Sequence, residues 1–460
     1  MRQIKDFIKS LYYPDKNFYR LLIGLAFPIV CQNIITIGVN ITDTLMLGAL
    51  GETQLSASSL ATQFVNMFQT FVMGTSMGAS VLVARYWGMG ESKSLKMTIT
   101  IMFRIILALA SLFFVVTFFA PEWVMHMYTP DEALVKEGIR YLQFAAFSYF
   151  FNGLGLGSTI ILRNIQKVRI PMLVSIGSFI LNIVGNYILM FGKLGLPAMG
   201  IAGASLSTLI VRVVECGLNF GYLVFVDNAI QFRCRDFFLK CRVLLGEYVR
   251  ISLPVIVSDG LLAFGNNAVT MIIGRMGASF VSGIAITQVI ERLATTAIGG
   301  TGQASAIMTG KALGEGDTEK VKKQAVATFG FGTLLGIAGC MIILAITEPV
   351  ILIYRLEPDT AAITRQLLHM SAILTLFQSS NGILTKGTLR GGGDTKVLMV
   401  IDSLFLWAVS VPLGYLSGLV WGLTPFWVYF FLRGENICKT VWGIWRLQSG
   451  KWIKKIQSYG

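Results

Sequence analysis

Gln32, Thr36, Asn40 and Asp43 fall at i, i+4, i+8 and i+11 of an otherwise apolar stretch, so they share one helical face, with Pro28 one turn before them to bend or loosen the helix. The stripe ends in a carboxylate. A carboxylate held away from bulk water can take up and release a proton or a sodium ion, changing charge each time; a buried structural acid satisfied by nearby hydroxyls and amides is the alternative. Ser59, Gln63, Asn66 and Thr70 form a second stripe. Ser175, Ser178, Asn182 and Asn186 form a third, and Asp259, Asn266 and Thr270 a fourth. Polar side chains facing lipid are costly, so these stripes are expected to line one aqueous chamber. Asp259 suits a second ion or substrate carboxylate, or a group that stabilises the kink after Pro254.

Other chemistries find little support. His126 and His369 are the two histidines, and no Cys or His spacing suits zinc. Gly391-Gly392-Gly393-Asp394-Thr395-Lys396 superficially suggests a phosphate loop but lacks the GxxxxGK[ST] order, so no nucleotide-driven pump and no enzyme is expected. Four of the six cysteines fall in apolar stretches, and Cys234 and Cys241 in a connection on the reducing side, so no disulfides are expected. No cofactor beyond a coupling ion, H+ or Na+, is called for.

The elements that must hold these residues are membrane helices. Hydrophobic residues make up 54% of the chain and charged ones 13%, against roughly 25% charged in soluble domains. Twelve apolar stretches occupy residues 18–42, 54–84, 97–120, 139–162, 170–192, 199–226, 246–274, 280–310, 324–354, 364–388, 397–418 and 424–446. Each is long enough for a hydrocarbon core of about 30 Å. The second six repeat the first about 226 residues on: Pro28 recurs as Pro254, Asn40 as Asn266, Gly48 and Gly51 as Gly274 and Gly277, and Leu162-Arg163 as Leu389-Arg390. Six spans per half makes the repeats parallel, as a transporter with two related halves would carry. The expected division is an N-terminal six-helix lobe (1–226), a connection (227–245) and a C-terminal six-helix lobe with a basic tail (246–460).

Basic residues concentrate on one side, including Arg2, Lys5, Lys9, Arg85, Arg163, Lys167, Arg233, Lys240, Lys311, Lys322, Arg390, Lys396 and Lys451. The other side holds about six, among them Lys136, Arg140, Lys193 and Arg275. The positive-inside rule places both termini in the cytoplasm, and it accounts for the net charge of +14 without nucleic acid. No cleavable signal peptide is expected, because residues 1 to 17 are basic and broken by Pro14 and Asp15. Within the spans, Glu291-Arg292 and Arg212 with Glu215 are expected to pair locally. Asp402 and Arg104 are expected to reach the interface, while Gly74, Gly78, Gly153, Gly155 and Gly157 should mark close helix packing. Phenylalanines and methionines suit a greasy pocket for organic cations.

Thr42-Asp43-Thr44-Leu45-Met46-Leu47-Gly48, Leu82-Val83-Ala84-Arg85-Tyr86-Trp87-Gly88, Leu162-Arg163 with Pro171-Met172, Leu181-Asn182, Gly200-Ile201-Ala202-Gly203-Ala204 and Leu389-Arg390-Gly391-Gly392-Gly393-Asp394-Thr395-Lys396 together carry a resemblance. Over nearly its whole length the chain resembles multidrug and toxic compound extrusion (MATE) transporters of the multidrug/oligosaccharidyl-lipid/polysaccharide superfamily. The resemblance implies an all-α polytopic membrane protein, twelve transmembrane helices in two parallel six-helix repeats, alternating between outward and inward openings. It also implies export of cationic or amphipathic compounds in exchange for protons or sodium; a flippase for a lipid-linked precursor is the alternative. Residue by residue, Asp43 matches the family's first-helix cation-site aspartate, and Asn182, Ala204 and Thr208 match one branch, with sodium at Asp43, Asn182 and Thr208. Asn186 stands where that branch often has a second carboxylate, which favours protons. Leu262 and Ser379 stand near two carboxylate positions of another branch. Gln32, Thr36, Asn40, Gln63, Asn66, Asp259 and Asn266 are the expected cavity and substrate residues. The expected setting is a monomer among lipids in a bacterial or archaeal inner membrane.

Overall fold

The computed structural model describes residues 15–456, and all regular structure among them is helical. The basic residues Arg2, Lys5 and Lys9, and most of the segment read as lacking a signal peptide, lie outside the described residues. Twelve long helical segments follow one another: α1 (Lys16–Gly48), α2 (Glu52–Met89), α3 (Ser92–Phe119), α4 (Glu132–Asn164), α5 (Arg169–Phe191), α6 (Ile201–Val226), α7 (Arg242–Gly274), α8 (Ala278–Gly314), α9 (Thr318–Ile353), α10 (358–389), α11 (Thr395–Val420) and α12 (425–449). Nine are long and apolar enough to cross a membrane by composition alone. The other three, α8, α10 and α12, carry more polar or broken sequence, and α12 is interrupted at Gly434.

The repeat is visible element by element. α1 and α7 are both 33 residues long and each holds its proline inside the helix. Gly51 and Gly277 cap α2 and α8 with φ of 133° and 97°, a conformation glycine alone adopts without strain. α4 packs on α2, α3 and α6, and α10 packs correspondingly on α8, α9 and α12. The chain divides into two compact units within α1 and α7: Cys31–Ile256 form one, while the described residues through Val30 and from Val257 onward form the other. Each division falls just after a proline, Pro28 or Pro254, where the missing N–H already weakens the helix.

Inside the Cys31–Ile256 unit, glycines set helix spacing. A Cβ on Gly78 of α2 would lie 2.5 Å from the Ser252 Cα of α7, and one on Gly203 of α6 would lie 2.5 Å from the Leu189 carbonyl oxygen of α5. Backbone cannot swing aside as a side chain can. Gly78→Ala is therefore expected to destabilise the purified protein by about 1–3 kcal/mol. Gly177→Ala, exposed on α5 with nothing nearby, should be neutral or gain up to about 1 kcal/mol. Thermal unfolding in detergent checks both, and equal behaviour of the two variants would overturn the packing role.

Candidate functional site

The turn of α1 that carries Asp43 meets α5. Asn186 Nδ2 donates to Asp43 Oδ1 at 2.6 Å, and the same amide lies 3.5 Å from Asn182 Oδ1 one turn earlier. Asn182 and Asn186 are buried, whereas Asp43 is half-buried. Asn186 Oδ1 is buried without a hydrogen-bond partner among the described residues. α5 is held in place by α6, where Ser207 Oγ donates to the Asn182 carbonyl at 3.4 Å and Gly185 leaves room for Ser207. Three of the sequence-derived cation residues, Asp43, Asn182 and Asn186, are thus together. Thr208 is one turn further along α6 than Ala204 and gives its hydroxyl proton to the Ala204 carbonyl at 3.0 Å. Arg212 forms an ion pair with Glu215 at 2.6 Å, as their i, i+3 spacing suggests.

Donor chemistry bears on which ion such a cluster could hold. A sodium ion needs several oxygens around it, ideally anionic. Here one carboxylate is met by an amide N–H, which is a donor where a metal would need a ligand. Among the described residues no three His, Cys, Asp or Glu side chains gather to hold a metal.

Gln32, the first residue of the stripe, is buried and has a specific partner. Arg163 of α4 donates from Nε to Gln32 Oε1 at 3.1 Å and also from Nη2. Shifted by 227 residues, the same contact recurs: Arg390, immediately after α10, donates to Asp259 Oδ1 of α7 at 3.4 Å. Both arginines are buried, at 8% and 7% exposure, although their sequence places them with the basic loop residues. Thr36 donates to the Gln32 carbonyl, Asn40 accepts from Thr44 through its own carbonyl, and Gln63 and Asn66 are exposed. Asn266 accepts from Arg433 of α12 at 3.1 Å. Because Asp259 is the carboxylate of a pair with a buried cation, Asp259→Ala is expected to cost about 3–5 kcal/mol, while Gln32→Ala removes a neutral acceptor and costs about 1–3 kcal/mol. Unfolding curves of the two variants check the difference, and equal losses would mean that the carboxylate adds nothing.

Two sequence-derived expectations change. Glu291 and Arg292 do not pair: adjacent residues diverge by about 100° around a helix, Arg292 is exposed, and Glu291 instead accepts from the Tyr429 hydroxyl at 2.6 Å. Asp402 does not reach the interface. It is 3% exposed and pairs with the equally buried Lys439 of α12 at 3.6 Å. Arg104 is exposed and caps the carbonyls of Phe237 and Leu239.

The Gly391–Lys396 loop has a structural task. Asp394, 1% exposed, takes Arg446 at 2.7 and 3.1 Å and Lys454 at 3.2 Å. Lys454 N–H donates to the Gly392 carbonyl, and a Cβ on Gly392 would overlap the buried Trp452 ring. In the first repeat Lys167 of the α4–α5 loop pairs with the buried Asp227. Burial opposes the Lys167 charge, but the Asp227 carboxylate outweighs it and the ammonium is held above its ordinary range. That pairing is fully present below the usual lysine pKa and is lost as pH rises through the elevated value.

Twelve long helical segments in two repeated sets among the described residues, nine of them apolar enough to cross a membrane, with a carboxylate and its amide partners among them, are the architecture of a membrane transporter, not of an enzyme. The MatE family model matches residues 28–188 and 254–416, one stretch in each repeat, and the chain belongs to that family. It is 26% identical to the uncharacterized transporter YisQ of Bacillus subtilis, covering 96% of each chain. It is 25% identical to the probable multidrug resistance protein NorM of Rhizobium meliloti, covering 88% of this chain and 89% of that one. Its fold is similar to the bent form of the Vibrio cholerae MATE transporter VcmN, with a TM-score of 0.85 at 15% identity over 96% of this chain and 98% of that one. It is also similar to an outward-facing multidrug resistance MATE transporter, with a TM-score of 0.84 at 19% identity over 94% and 96%.

Proposed function

We propose that the protein exports cationic or amphipathic small molecules in exchange for protons, with Asp43 as the group that loads and unloads. The observation that carries this reading is the Asp43–Asn186–Asn182 cluster: an intramembrane carboxylate whose nearest partner donates an N–H. Sodium is the second coupling ion considered, disfavoured by that donor. Relatives described as multidrug resistance proteins support the cargo class. Loading from outside neutralises Asp43 and lets α1 shift about Pro28. Discharge to the cytoplasm restores the charge, and a membrane potential contributes ~2.3 kcal/mol per charge per 100 mV to that step. The distribution of basic residues supports cytoplasmic termini; a monomer in an inner membrane is part of the same proposal.

The test is export of a fluorescent organic cation such as ethidium from proteoliposomes given a proton gradient or a sodium gradient, one at a time. Proton-driven export is the expected result. Sodium-driven export would transfer the role to oxygens around Asn186, and no response to either gradient would favour a lipid-linked cargo.

A further inference from the structure

Lys96, Thr100 and Arg104 fall at i, i+4 and i+8 of α3, one stripe on that helix, and all three hold the connection between α6 and α7. Lys96 pairs with the Asp236 carboxylate at 3.1 Å, and Thr100 donates to the Asp236 carbonyl at 2.9 Å. Arg104 donates from Nε to the Phe237 carbonyl at 3.1 Å and from Nη2 to the Leu239 carbonyl at 3.0 Å. The Asp236 carboxylate also accepts the Arg233 N–H at 2.9 Å, at the start of a 3-10 turn over Cys234–Phe238. Upstream, the buried Asp227 accepts the Ile230 N–H at 2.7 Å, and the side chains of Ile230 and Phe232 are buried. The connection is therefore not a free tether. It is splinted along α3, within the same Cys31–Ile256 unit.

The splint sends neighbouring phenylalanines opposite ways. Phe237 stacks on Phe103 of α3 with ring centroids 5.8 Å apart and meets Phe232 at 5.4 Å. Phe238 is 86% exposed, and it cannot easily turn inward because the carbonyls before and after it are both held by Arg104. Depth along α3 indicates what it faces. The helix starts at Ser92, so Arg104 lies about 18 Å along its axis, and only about 22 Å of helix remains before the end at Phe119. A hydrocarbon core about 30 Å thick therefore reaches back past Arg104, to the level of the turn. Backbone at that depth must have its carbonyls taken, as Arg104 takes them. The charge of the segment is one-sided as well. Arg235, Lys240 and Arg242 are exposed, whereas Asp236, the single acid between residues 233 and 242, is buried against Lys96.

We propose that the 233–242 segment is a docking surface for anionic lipid headgroups, with Phe238 seated in the acyl region and Arg235, Lys240 and Arg242 on the headgroup phosphates. An aromatic side chain at the hydrocarbon boundary flanked by basic residues has the chemistry of an interfacial anchor, and each cation near a negatively charged leaflet adds to its hold. The α3 stripe of Lys96, Thr100 and Arg104 presents this surface in one fixed orientation, so no ordering of a loose loop is needed when lipid binds. The surface ties the Cys31–Ile256 unit to one leaflet. It rests on the membrane reading of α3 and not on the cargo or the coupling ion.

The experiment places a single trifluoromethyl-phenylalanine at position 238 of the full chain and reads its fluorine resonance in lipid nanodiscs, with relaxation from a doxyl-labelled lipid or from a water-soluble gadolinium chelate. In discs of phosphatidylcholine mixed with phosphatidylglycerol, the doxyl lipid is expected to broaden the signal and the chelate to leave it sharp. A second measurement needs no label: amide exchange of residues 232–241 in wild type should slow as phosphatidylglycerol is titrated into phosphatidylcholine. Lys240→Gln should move that titration to about fivefold more phosphatidylglycerol, the effect of one charge near an anionic surface. Broadening by the chelate in place of the lipid overturns the membrane contact. Exchange that is equal in the two lipids, or unmoved by Lys240→Gln, overturns the recognition of anionic headgroups. Protection from both reagents would mean that protein covers Phe238, which also overturns the proposal. None of these readings uses gradient-driven export, so failure here leaves the Asp43 reading standing.

Discussion

Asp43→Asn is expected to reduce gradient-driven export of an organic cation to the background of empty vesicles. The substitution keeps the shape of the side chain and an oxygen that can accept from Asn186 Nδ2, so the contact that orients α1 against α5 persists. What is lost is the ability to change charge. The stability cost should therefore stay near about 1 kcal/mol, the size of one ordinary hydrogen bond. Export assays in proteoliposomes and unfolding curves, taken together, separate the two effects. A folded variant that still exports under a proton gradient would remove Asp43 from the coupling mechanism. Asn186→Asp provides the complementary experiment: a second carboxylate beside Asp43 replaces an amide donor with an anionic oxygen, and it should shift the preference toward sodium.

The second large effect is expected at the loop between α10 and α11. Asp394 is buried and holds two cations, Arg446 and Lys454. Removing it in Asp394→Ala leaves the largely buried Arg446 guanidinium without its anion, and the loss expected for a broken buried pair is about 3–5 kcal/mol. Trp452→Ala should cost a similar amount, about 3–5 kcal/mol, because the ring is fully buried against Gly392 and the resulting cavity cannot close around a glycine. The measurement is the unfolding midpoint in detergent. If both variants unfold with wild type, the tail segment through Lys454 is dispensable and the contacts among Asp394, Arg446 and Lys454 are incidental.

The sequence alone reveals the twelve helices, because apolar length and the 226-residue repeat are both properties of a string of letters. The Asp43 cluster is half visible: each stripe shows its helical period, and Asn182 and Asn186 share a face, yet nothing along the chain says that Asn186 donates to Asp43 across 143 positions. Arg163 and Arg390 are misleading by their place near helix ends, where lysines and arginines ordinarily reach solvent. The repeat does hold a clue to their partners, since one shift carries Gln32 and Arg163 onto Asp259 and Arg390. The break at Gly434 and the π-turns of α11 disturb the regular helical period, so contacts between α11 and α12 cannot be read by counting residues. Glu291 and Arg292 mislead for the opposite reason, because neighbours in sequence are not neighbours on a helix.

The paired arginines have a use at the bench. Arg163 meets an amide and Arg390 a carboxylate, with 131 residues between partners in both cases. Exchanging the partners, Gln32→Asp in one repeat and Asp259→Gln in the other, leaves composition and total charge untouched. The molecule thus contains its own internal control, in which the worth of a single formal charge beside a buried guanidinium can be read twice in one polypeptide.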